Sequence, residues 1–167
     1  MPNIIVAFYK GRKKENPDTS FFDRLICFVT RSPHSHVELV YYYIPETNIG
    51  YCWTSSPRDG GVRMAVIHFD PVHWDLFEYT GPAPNHLGDG GMQAIDAWFR
   101  PKNGMKYDWI GAVATVIRFI KQIETKYFCS EIVAEFFEFL KPHLFTPKKL
   151  FKKLSPYLKR IKTIDEK

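Results

Sequence analysis

The sequence predicts an α+β fold, a small antiparallel sheet or partial barrel packed against helices. Three observations lead there. The first half holds short β-branched and aromatic runs parted by turn signals, at residues 4–9, 35–44, 49–55 and 62–69. The second half changes to helical spacing at 92–99, 109–120 and 130–140. No apolar run approaches the roughly 20 residues that would span a bilayer.

A chain of 167 residues is expected to form one domain, residues 1–167, large enough to bury about two thirds of its unfolded surface. Hydrophobic residues make up 45% and aromatic residues 16%, which excludes a disordered chain. Net charge is +5, and residues 141–167 carry nine Lys/Arg against two acidic residues. The excess charge therefore lies in a basic C-terminal helix and tail at about 142–167, and the remainder is close to neutral. Cys27, Cys52 and Cys129 are odd in number and show no CxxC spacing, so reduced thiols are expected rather than a disulfide framework or a cysteine-rich zinc site. The opening residues lack the basic region of a signal peptide and read as a first strand, an expectation of cytoplasmic localisation.

Taken in order, residues 4–9 are an apolar, β-branched run, expected as a buried strand. A polar loop follows at 10–17, and Asp18, Thr19 and Ser20 offer caps for a helix at about 21–30. Arg31-Ser32-Pro33 stops it. Strands at 35–44 and 49–55 flank a turn at 45–48 and are expected to pair as a hairpin. A turn at 56–61, a strand at 62–69 and a fourth at 72–79 complete an expected meander. Residues 80–91 form a Gly/Pro-rich crossover. Helices are expected at 92–99, from an Asp108 cap through 109–120, and across 130–140. In the last of these Ile132, Val133, Phe136, Phe137 and Leu140 form the apolar face, opposite Glu131, Glu135 and Glu138. Thr146-Pro147 starts a short helix docked by Leu150, Phe151 and Leu154. The tail beyond Pro156 is expected to fray.

The chemistry centres on Cys129. It stands where a polar connector gives way to an amphipathic helix, and a helix N-terminus favours an anion there. Taken alone, a cysteine on such a helix is an ordinary small core residue. A thiolate needs a base, and Ser35-His36-Val37-Glu38 places His36 on a strand upstream. Glu38 alternates onto the same face and is a candidate to orient the imidazole, or else an exposed strand carboxylate. Thr54 and Ser55, on the neighbouring strand, are the other orienting candidates. His34 reads as still in the turn, because Pro33 precedes it. For the oxyanion the Cys129 N–H is the natural donor, with Tyr127 near in sequence and Tyr9 a candidate in space. Arg58 is a candidate substrate contact within a tight turn. Cys27 and Cys52 read as core residues.

Ser35-His36-Val37-Glu38-Leu39-Val40, followed downstream by Tyr127-Phe128-Cys129-Ser130-Glu131-Ile132-Val133, resembles the circularly permuted branch of the NlpC/P60 papain-like superfamily. This group of permuted amidases includes the lecithin–retinol-acyltransferase-like proteins. The segments at 55–63 and 107–111 look like those of small bacterial and bacteriophage members. The resemblance runs from the first strand to the helix at 146–154. It implies a permuted papain-like fold with Cys129 as nucleophile, His36 as base and no metal or organic cofactor. The family's third polar residue usually lies on the strand after the histidine. Residues 51–55 here contain neither His nor carboxylate, so Glu38 or a hydroxyl at 54–55 must substitute.

The implied function is a cysteine hydrolase cleaving an amide, in particular a peptide or peptidoglycan-type γ-D-glutamyl bond. Two other classes stay open. One is an acyl-transfer or lipid-cleaving thiol enzyme, with the basic C-terminal segment and its Leu150, Phe151, Leu154, Tyr157 and Leu158 on an anionic membrane surface. The other is an inactive, phage-encoded module that binds a host partner in the host cytoplasm. Nucleic acid is not an expected partner, because no basic and aromatic pattern spreads along a defined surface.

Overall fold

Eight strands form one sheet, in the order β7-β6-β4-β3-β2-β1-β5-β8, in a computed structural model that describes residues 4–11, 21–108 and 126–166. They are β1 (Ile4–Lys10), β2 (His34–Ile44), β3 (Ile49–Ser56), β4 (Gly61–His68), β5 (Trp74–Tyr79), β6 (Lys106–Tyr107), β7 (Lys126–Tyr127) and β8 (Leu158–Ile161). Among the described residues the α-helices are α1 (Phe21–Thr30), α2 (Gly91–Phe99), α3 (Cys129–Phe136) and α4 (Pro147–Leu154). Among the described residues every strand pairing is antiparallel except the short parallel contact of β6 with β7. The mixed α+β class therefore holds. The loop and caps expected at 12–20, and the helix expected at 109–120, lie outside the described residues.

The β2–β3 hairpin and the β3–β4 pairing match the expected meander, but the meander ends at β4. Strand β5 crosses back to pair with β1, Val6 opposite Phe77. The reason is the burial of β1, where Ile4 to Phe8 are at most 9% exposed. A strand buried on both faces needs a neighbour on each side for its backbone groups. The tail does not fray either: β8 pairs with β5, Tyr79 opposite Leu158, and extends the sheet to a new edge.

The two faces of the sheet differ. Ile4, Val6, Phe8, Val37, Leu39 and Trp53 meet α2, α3 and α4 in the main core. The alternating residues Ile5, Ala7, Val40, Cys52 and Leu76 face the other way, where Phe69 and Trp74 join them. Thr146 caps α4 as expected, its hydroxyl accepting from the Lys149 N–H at 3.2 Å. Leu150 and Leu154 are fully buried. Helix α3 is shorter than its apolar spacing suggested. It ends at Phe136, Glu138 turns left-handed (φ 57°), and Leu140 is 91% exposed. The Glu138 carboxylate instead accepts from the Asn85 side chain at 2.7 Å, which ties the helix end to the crossover.

Candidate active site

A bulge and a split in the sheet shape this region. Tyr9 pairs with His36 and Lys10 with His34, so Ser35 is an extra residue in β2. One inserted residue reverses the alternation, and His34 and His36 therefore leave opposite faces of the sheet. His34 is in the strand, not in the turn. It sits against Phe8 and Phe151, with its Nε2 2.9 Å from Asp75 Oδ2. The bulged Ser35 donates its hydroxyl to Asp23 of α1 at 2.8 Å.

Further along, β2 and β3 stop pairing beyond Leu39–Trp53, although both strands continue. The Thr54 hydroxyl donates to the Val37 carbonyl across this gap at 2.8 Å. Ser55 Oγ donates to the Tyr127 carbonyl at 2.6 Å, two residues before Cys129. The start of α3 thus enters where the two strands diverge. Glu131 and Ile132 donate their N–H groups to the Phe128 carbonyl, and the Glu131 carboxylate accepts the Phe128 N–H at 3.3 Å. Glu131 is therefore buried at the helix start rather than on an outer face. Helix geometry leaves the Cys129 and Ser130 N–H groups without an intrahelical acceptor.

Cys129 is an electrostatic neighbour of His36 at the helix start, and its charge acts to raise the imidazole pKa. His36 hydrogen-bonds to Glu38, whose Oε1 lies 3.0 Å from Nε2. Glu38 is 1% exposed, not a solvated strand carboxylate, and Arg63 grips it bidentately at 2.7 and 2.8 Å. Asp59 accepts from Arg63 Nε at 2.8 Å. A line Cys129–His36–Glu38–Arg63–Asp59 results, in which every contact pairs opposite charge or shares a proton.

The electrostatics follow from this line. Burial alone would lower the His36 pKa, but the Cys129 charge, with Glu38 behind, raises it from 6.5 to about 10. Burial would raise Glu38, yet Arg63 and His36 outweigh it and hold the carboxyl below its ordinary value. The Cys52 thiol is pushed well up, mainly by burial. Tyr107 is raised as well, by burial first and then by the Cys129 charge.

A cavity of about 620 Å³ adjoins the histidine. Tyr9, His36, Trp74 and Tyr107 line it, with Arg58 and Asp59 on its polar side. Arg58 lies over the Tyr9 ring at 5.8 Å and pairs with Asp23 at 3.1 Å. Cys129 itself is only 4% exposed.

Cys129, His36 and Glu38 are therefore together, whereas Thr54, Ser55 and Tyr127 do other work. The two hydroxyls hold backbone, as described, because they sit where the ladder has opened. The Tyr127 phenol is pushed up by burial first and then by the charge of Glu135, further along α3. Arg63, Asp23 and Tyr107 escape sequence reasoning. For Arg63 a signal exists: it shares the β4 phase with Ala65 and Ile67, and a cation in that phase needs a buried partner. No protein-family model matches the chain, and no curated protein is significantly similar to it.

Proposed function

We propose that the protein is a thiol hydrolase in which Cys129 is the nucleophile and His36 the acid–base. Within that class, we read it as a permuted NlpC/P60-like amidase acting on peptides of the peptidoglycan type. The observation that carries the reading is His36 held by Glu38 and Arg63, with Cys129 at a helix N-terminus as its electrostatic neighbour.

The chemistry runs in two halves. With Nε2 held by Glu38, Nδ1 is the nitrogen left for the sulfur. The Cys129 thiolate attacks the carbonyl carbon, and the oxyanion is held by the Cys129 N–H. The tetrahedral intermediate collapses with cleavage of the C–N bond, and the His36 imidazolium gives its proton to the departing amine. A thioester on Cys129 remains. Neutral His36 then takes a proton from water, hydroxide adds to the thioester, and the acid leaves as the thiolate and imidazolium re-form.

Glu38 acts through the ring. It holds the tautomer and stabilises the imidazolium, the part an orienting carboxylate plays in a triad. Arg63 keeps that carboxylate ionised although it is buried. The test is release of new amines from peptidoglycan-type peptides by the purified protein. Cys129→Ala is expected to abolish it. Equal release by the variant would remove the nucleophile, and a biological effect untouched by Cys129→Ala would favour a binding module.

A further inference from the structure

The two sides of α1 meet different surroundings. Inward, Asp23 holds Ser35 and Ile26 lines the cavity beside His36. Outward, Leu25, Phe28 and Val29 are 41%, 76% and 44% exposed. Residues at i, i+3 and i+4 are neighbours on a helix, so these side chains form one apolar patch. A large aromatic ring left mostly in water at the centre of such a patch marks an interaction surface.

Cations surround this patch. Arg24 and Arg31, four residues before and three after Phe28, are both exposed. Lys148 Nζ donates to the Thr30 carbonyl at 2.9 Å, which brings the start of α4 against the end of α1. Lys152 follows one turn along α4 and is exposed, as are Lys149 and Lys153. Arg24, Arg31, Lys148 and Lys152 join no ion pair among the described residues. Helix α4 contributes charge alone, since Leu150 and Leu154 are committed to the core.

We propose that this α1–α4 surface docks on an anionic lipid membrane, with Phe28, Leu25 and Val29 entering the headgroup layer. An apolar wedge ringed by cations matches a surface that is anionic outside and apolar just beneath. Nucleic acid would engage the lysines but leave the wedge against phosphates. A second copy would set like charges face to face. Membrane contact at α1 brings the cavity beside His36 to the interface, because α1 lines both. The inference does not depend on the hydrolase reading. It also differs from docking through the apolar side of α4, where Leu150 and Leu154 are buried.

The test is cosedimentation of the whole chain with vesicles of phosphatidylcholine mixed with phosphatidylglycerol, and of phosphatidylcholine alone, at low and high salt. Binding is expected to the mixed vesicles at low salt, weaker at high salt, and negligible to phosphatidylcholine alone. Phe28→Ser should lower the partition coefficient roughly tenfold. It should melt like the parent, since the ring is largely solvated. Lys148→Gln with Lys152→Gln should lower partitioning by roughly fivefold per lysine and flatten the salt dependence. Absence of binding to mixed vesicles at low salt would overturn the proposal. So would binding unaffected by both variants, or a dimer in sedimentation equilibrium that Phe28→Ser dissociates.

Discussion

At the scale of single residues, the centre of the account is a carboxylate that cannot leave its partners. Glu38 is buried between His36 and Arg63 and accepts from both. Removing one partner of such a group typically costs about 3–5 kcal/mol, because the other charge stays buried. The pH dependence has a definite sign. His36 titrates higher folded than unfolded, so its contribution to stability is complete below pH 6.5 and fades as pH climbs through about 10. Glu38 titrates lower folded than unfolded. Its contribution is present above its ordinary value of 4.5 and is lost as pH falls through the lower folded value. Glu38→Gln should therefore flatten the acid side of a plot of melting temperature against pH and bring the alkaline decline below pH 10. In turnover, the same variant should lower kcat by about a hundredfold with little change in KM, since it touches the base and not the substrate. A wild-type pH profile in the variant would mean that Glu38 does not act on the ring.

At the scale of elements, the decisive feature is the opening between β2 and β3, which admits the start of α3. Hydroxyls bridge it. Ser55→Ala removes the bond to the Tyr127 carbonyl and should cost about 1 kcal/mol in chemical denaturation. The accompanying fall in kcat should exceed that small loss of stability, because the displaced element carries Cys129. Strands and helices with strong local patterns are legible in the sequence: β1, the β2–β3 hairpin and α1 stand where apolar spacing and turn residues put them, and α4 where its Thr146 cap does. The opening was not, because nothing in Tyr51–Ser55 or Ser35–Glu38 says that two adjacent strands will cease to pair. For that reason Thr54 and Ser55 read in the sequence as partners for an imidazole, whereas in the fold they tie backbone. The helix ending at Phe136 was missed similarly. Its apolar spacing continues to Leu140, but the contacts of Glu138 with Asn85 and His86 come from a distant segment and take over.

At the scale of the molecule, sheet order is what local pattern could not supply. Strand β5 adds to β1 and β8 to β5 across long stretches of sequence, since a fully buried β1 needs two neighbours. The helices on one face close the main core, and Leu150 is a point where that closure can be probed. Leu150→Ala should destabilise by about 2–5 kcal/mol in equilibrium unfolding, while a surface change such as Phe28→Ser should leave the melt alone. Pairing across the sheet also brings together the site. Cys129, His36 and Arg63 come from three separate stretches, and the order of His36 before Cys129, legible in the sequence, says nothing of Arg63. Among the described residues no helix is long and apolar enough to cross a membrane. The central claim is an activated thiol, and the protein carries its own controls for it. Cys27, Cys52 and Cys129 are 1%, 0% and 4% exposed, so access differs little and ionisation should dominate the contrast. The measurement is the rate of iodoacetamide alkylation at each cysteine, read by mass spectrometry, at about pH 6 where an ordinary thiol is protonated. Cys129 should be alkylated well ahead of the other two, and His36→Ala should remove its lead; alkylation of Cys129 no faster than Cys27 and Cys52 would contradict an activated thiol.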